Sequence, residues 1–74
     1  MNHVVRAEIP ATVATVAVEA GQQVGESDVV VQLESVTSEV PVPAGVAGIV
    51  MEVLVSDGDV VEVGDPLLAI AEDS

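Results

Sequence analysis

Short apolar runs broken by turn residues fill the chain, and no segment carries apolar residues at helical spacing over a useful length. Val4 to Glu8 reads as a first strand, ended by Pro10, which lacks a backbone donor and fixes φ. A second strand spans Thr12 to Val18, with Val16 and Val18 alternating against Thr15 and Ala17. Glu19-Ala20-Gly21-Gln22 is a turn, with Gly21 the candidate for positive φ. Gln23-Val24 fits a very short strand, Gly25-Glu26-Ser27-Asp28 turns the chain again, and Val29 to Leu33 is a continuous β-branched run. Glu34-Ser35-Val36-Thr37-Ser38-Glu39 separates that run from Val40-Pro41-Val42 and so reads as a hairpin tip. Val40 to Ala44 carries Pro41 and Pro43, tolerable only where the missing N–H groups face outward or fall at an irregular edge. Ile49 to Val55 is a long strand, Ser56-Asp57-Gly58-Asp59 a turn, Val60-Val61 a short strand, and Glu62-Val63-Gly64-Asp65-Pro66 a turn into a last strand, Leu67 to Ala71. The pattern predicts one all-β domain over residues 1–74.

Laid over itself with a shift of 37 residues, the chain pairs Val5 with Val42, Ala7 with Ala44, Val13 with Val50, Val16 with Val53 and Val18 with Val55. The same shift pairs Gly21 with Gly58, Val24 with Val61 and Asp28 with Asp65. Matching turn residues as well as valines points to an internal duplication. Two such half-sheets, neither able to bury its apolar face alone, are expected to pack together about an approximate two-fold axis.

Composition narrows the functions such a domain can serve. A chain of 74 residues is near the size at which a single core only just outweighs chain entropy, which leaves no room for a separate catalytic lobe. Its 19 valines suit pleated strands, and with no Phe, Tyr or Trp it offers no ring on which a base or sugar could stack. Thirteen carboxylates face one cation, Arg6, for a net charge of −12, so neither nucleic acid nor an anionic membrane is expected as a partner. The acidity reads either as solubility and self-repulsion, as in a salt-rich cytoplasm, or as a surface for docking on a basic partner. Without cysteine there is no disulfide, thiol nucleophile or thiolate metal site. Met1-Asn2-His3-Val4-Val5-Arg6 lacks the apolar stretch of a signal peptide, and no run approaches the ~20 residues of a membrane span, so a cytoplasmic location is expected.

Few residues offer chemistry. Asp57-Gly58-Asp59 with Glu62 clusters hard oxygen ligands, but the spacing does not match an EF-hand loop, and Asp-Gly is a common turn dipeptide; it is read as a turn. His3, close to a terminus expected to fray, is read as solvated. The hydroxyls of Ser27, Ser35, Thr37, Ser38 and Ser56 have only that one imidazole in the chain to activate them. Nothing resembles a phosphate-binding glycine loop, and an enzyme is not expected.

Val31-Gln32-Leu33-Glu34-Ser35, Glu39-Val40-Pro41-Val42, Ala47-Gly48 and the run from Val55 through Gly58-Asp59, Val61 and Gly64-Asp65-Pro66-Leu67 together resemble the biotinyl/lipoyl attachment domain family. The resemblance covers nearly the whole chain. It implies a flattened β-barrel or sandwich of two four-stranded antiparallel sheets, with biotin or lipoate held on a lysine at an exposed hairpin tip. In biotinyl domains that tip reads Glu-Ser-Met-Lys-Met-Glu, which falls without a gap on Glu34-Ser35-Val36-Thr37-Ser38-Glu39. Thr37 thus stands where the acylated lysine is expected, with Val36 and Ser38 for the methionines. A lipoyl-type alignment deletes two residues, including the lysine. Both lose the attachment site.

Biotin and lipoate are joined through an amide to an ε-amine, whereas a threonine hydroxyl is a poor nucleophile and would give a labile ester. No cofactor is therefore expected. The resemblance instead implies a non-acylated binding or accessory module of a biotin- or lipoate-dependent complex, with carboxylase, 2-oxo acid dehydrogenase or ligase subunits as protein partners and the tip from Glu34 to Glu39 as the contact. At that tip Val36 either tucks against the end of the domain or offers an apolar surface to the partner. The alternative is a purely structural or assembly domain whose outer strands pack into an oligomer, with the tip idle.

Overall fold

The computed structural model describes residues 2–73. Eight strands follow one another: β1 Asn2–Arg6, β2 Ala11–Val16, β3 Gln23–Val24, β4 Val29–Glu34, β5 Glu39–Pro43, β6 Gly48–Val53, β7 Val60–Val61 and β8 Pro66–Glu72. They form two four-stranded sheets, β1-β8-β6-β3 and β5-β4-β2-β7, with every pairing antiparallel. Among the described residues no ladder joins the sheets, so of the flattened barrel or sandwich implied by the resemblance the structure is the sandwich.

The 37-residue shift is an operation of the backbone as well as of the sequence. It carries β1 onto β5, β2 onto β6 and β3 onto β7. It carries the β1/β8 rung Val4–Ala69 onto the β5/β4 rung Pro41–Gln32, and a register irregularity falls at the same place in each pair. Hydrogen bonds repeat too: Gly21 N–H donates to Val50 O and Gly58 N–H to Val13 O, each at 2.7 Å. Ala7 N–H donates to Asp65 O and Ala44 N–H to Asp28 O, each at 2.9 Å.

Both halves empty their apolar faces into one core. Val13, Val30, Val31 and Leu33 from one sheet meet Val5, Val50, Leu67, Leu68 and Ile70 from the other, all buried. Each two-residue strand contributes one inward valine, Val24 or Val61. Pro41 and Pro43 lie on β5, an edge strand, where a missing N–H breaks no interior ladder. Pro66 begins β8 for the same reason.

Strand ends depart from the sequence pattern by one or two residues. The first strand begins at Asn2 and stops at Arg6, because its register is set by β8 rather than by its own valines. The second stops at Val16, whose N–H turns to Asp57 Oδ1 at 2.8 Å before the chain crosses to the other sheet. Three turns behave as their glycines demand. Gly21, Gly58 and Gly64 take φ of 92°, 93° and 88°, each as the third residue of a turn closed by a backbone bond, the pattern of a type II turn.

Candidate functional site

β4 and β5 meet at the tip, and Glu34 faces Glu39 on their last rung. The projecting loop is therefore Ser35 to Ser38. Ser35 closes it from one side, its N–H donating to Ser38 O at 2.8 Å and its Oγ to the same carbonyl at 3.1 Å. The two serine hydroxyls also stand 3.3 Å apart. Val36 and Thr37 occupy the apex, both exposed. Both are β-branched and neither has positive φ, so the apex is not a type I′ turn, which requires φ > 0 at both central residues. Val36 is fully exposed, which removes the reading that it tucks against the end of the domain.

The base of the tip is acidic at the first two places of a four-residue row. Glu39 pairs with Glu34, Glu34 with Thr12, and Thr12 with Val60 at the sheet's far edge. Two like charges directly opposite each other cost stability. A groove runs beside this row, lined by Pro10, Thr12, Ser35, Val36, Val60 and Glu62 among others. Sequence reasoning had the tip but missed Val60 and Glu62, because the outward face of a two-residue strand is fixed by its pairing with Thr12. The signal that finds them is the repeat itself, which sets exposed Val60 against exposed Gln23.

The remaining candidates are placed elsewhere. His3 is placed in β1 opposite Ile70, half-buried beside Gly45 in a groove between the edge strands β1 and β5 rather than fully solvated. It belongs to the end of the molecule away from Ser35, Thr37 and Ser38. Asp57 accepts from Val16 N–H, and Asp59 Oδ2 accepts from Ser56 N–H at 2.8 Å, so these carboxylates clamp backbone. Asp28 and Asp65 do the same at Gly25 and Glu62. Arg6 donates to Gly64 O at 2.9 Å. Ser27 sits exposed in its turn.

A covalently held biotin or lipoate needs an amine. The tip presents hydroxyls and carboxylates, and the 74 residues contain no lysine, so the side chains present do not fit the group.

Two mirrored antiparallel sheets with one projecting hairpin define a small domain of the carrier type, a scaffold that presents a tip rather than a catalyst. Residues 3–70 match the biotin/lipoyl family model described as "Biotin-requiring enzyme", and the chain belongs to that family. Members normally carry biotin or lipoate covalently and are not themselves catalytic. The chain is 55% identical over 67 residues to a biotinylated protein TB7.3 homolog of Mycobacterium leprae, covering 90% of this chain and 94% of that one. It is 38% identical over 65 residues to a biotin carboxyl carrier protein of Streptococcus mutans, covering 88% of this chain and 50% of the relative.

Among solved structures, a single-chain, multi-domain long-chain acyl-CoA carboxylase contains a region that superimposes with a TM-score of 0.91 at 32% identity. That match covers 99% of this chain and only 7% of the carboxylase. The urea carboxylase of Kluyveromyces lactis gives 0.89 at 27% identity over 96% of this chain and 6% of its own. The lipoyl domain of the 2-oxoglutarate dehydrogenase complex from Azotobacter vinelandii gives 0.76 at 23% identity, covering 95% of this chain and 99% of the domain, a likeness of fold alone.

Proposed function

We propose that this domain is a carrier-like module that holds neither biotin nor lipoate and acts by recognition within a biotin- or lipoate-dependent complex. The observation that carries this reading is the tip. The hairpin is formed, closed by Ser35 and Ser38 and flanked by Glu34 and Glu39, yet Thr37 stands at its apex in a chain without lysine. A scaffold that keeps the shape of the carrier while losing the acceptor amine can still be bound by whatever grips carriers at this hairpin.

Biotin-type ancestry is favoured over lipoyl-type. The gapless match at the tip, the carboxylase regions at TM-scores of 0.91 and 0.89 against 0.76 for the lipoyl domain, and relatives named for biotin all support it. Carboxylase subunits are accordingly the first partners to seek, followed by 2-oxo acid dehydrogenase and ligase subunits. Affinity capture from the native host with identification by mass spectrometry should recover such a subunit. Its absence from repeated captures would count against the proposal.

A purely structural role has one observation in its favour. The outward face of the β1-β8-β6-β3 sheet exposes Val4, Ile49 and Met51, a surface suited to packing in an assembly. Light scattering separates the two: a monomer at working concentration favours recognition, and a stable homo-oligomer favours assembly.

A further inference from the structure

The internal two-fold offers a comparison for surface residues, and it holds rung for rung at Val60, which pairs with Thr12 as Gln23 pairs with Ile49. Val36, Val60 and Val63 are the most exposed large apolar residues described, at 104%, 75% and 64%. Their counterparts under the 37-residue shift are Asp73, Gln23 and Glu26, all exposed. At the place of Val60 the fold is therefore satisfied by a polar side chain, and the exposure of Val36 and Val63 leaves burial no reason for valine at either. By contrast Val4, Val29, Ile49, Met51 and Leu54 are only 38–48% exposed, much of each side chain being covered by its neighbours.

The valines gather at one end. Val36 and Val60 line the same groove beside the tip, about 610 Å³ in volume, and Val63 stands in the turn just past β7. The two matching rows also differ in charge. The row at the base of the tip reads Val60, Thr12, Glu34, Glu39, and its counterpart in the other sheet reads Gln23, Ile49, Ala71, Asn2. Glu34 and Glu62 line the groove at the tip end, with Glu39 paired to Glu34 beyond it, and no carboxylate occupies the matching row.

We infer that the groove between the tip and β7 seats an aliphatic side chain of a partner protein that is flanked there by lysine or arginine. This rests on the reading of the tip as a recognition element and names the chemistry it recognises. A second copy of the chain is a poor occupant. It would bring a further charge of −12, with one arginine, against a groove lined by Glu34 and Glu62. Complementarity in sign together with an apolar centre is the arrangement that gives both encounter rate and residence.

The probe is a short synthetic peptide of alternating lysine and leucine, titrated into ¹⁵N-labelled protein and followed by amide shifts. Peptides of lysine alone and of alternating glutamate and leucine serve as comparisons. Shifts should concentrate at Thr12, Ser35 to Ser38 and Val60 to Val63 and be absent at Gln23, Ile49 and Asp73. Val60→Gln and Val36→Asp, which copy the residues of the opposite half, should keep the fold and weaken binding roughly tenfold or more together, the scale expected for unburying two valines. Equal shifts from the lysine-only peptide, equal shifts at both ends, or undiminished binding by the double variant would each overturn the inference. So would concentration-dependent shifts at Val36 and Val60 without peptide, which would put a second copy in the groove. If instead the chain proves to be biotinylated, the recognition-only proposal fails while the mapped groove remains, so the two failures are told apart.

Discussion

A single β-carbon decides whether residue 48 fits. One built on Gly48 would overlap the carbonyl oxygen of Ala71 and stand 2.9 Å from Ile70 Cγ2, although the residue's φ is ordinary. Backbone cannot give way as a side-chain tip can, so Gly48→Ala should destabilise the domain by ~1–3 kcal/mol or more in denaturant unfolding. Gly25 is the contrast. Its nearest neighbour is Asp28 at 3.7 Å, its φ is not positive, and Gly25→Ala should be neutral or stabilising by up to ~1 kcal/mol. The need at Gly21 is legible from the sequence, because a turn demands its conformation locally. The need at Gly48 is not, because the obstructing carbonyl comes from β8, which meets it only after folding.

At the scale of the element, four turns are each held by a side-chain acceptor on their last residue. Gln22, Asp28, Asp59 and Asp65 all take the N–H of the residue three before. These polar turns are what the sequence shows most clearly, since the residues that make them and the bonds they form lie together. Asp57 differs: it reaches across to Val16 and fixes where β2 stops, a contact between residues 41 positions apart that no local pattern announces. Asp57→Ala should leave the Ser56–Asp59 turn closed while amide exchange at Val16 accelerates several-fold, reflecting the ~1 kcal/mol of one exposed hydrogen bond. Unchanged exchange at Val16 would mean that the β2 ladder alone protects it. The hairpin tip was likewise legible as a tip. That Val36 projects rather than folds back was not, because nothing in the string of residues says how Ser35 and Ser38 close the loop.

Across the whole molecule the two halves share one core, and neither sheet has an apolar interior of its own. Leu33 and Ile70 occupy equivalent places in the repeat, and both are fully buried. Leu33→Ala should therefore cost ~2–5 kcal/mol and lower hydrogen-exchange protection in both sheets alike, not only in the one that contains it. Loss confined to β5-β4-β2-β7 would mean that the halves open separately. The symmetry was legible in the 37-residue repeat, and the resemblance supplied the number of strands and sheets. Which symmetric positions break the pattern became visible only once rungs were in register, and those departures gather around the tip. Thr37 at its apex is the residue on which the proposed function turns. Introducing Thr37→Lys places an amine there, and modification of that variant by a biotin protein ligase would show that the hairpin is still accessible to the enzyme. The decisive measurement is the intact mass of the unaltered chain after co-expression with the ligase and biotin: it should equal that of the unmodified polypeptide, and an added biotinyl mass would contradict a domain that works without its acyl group.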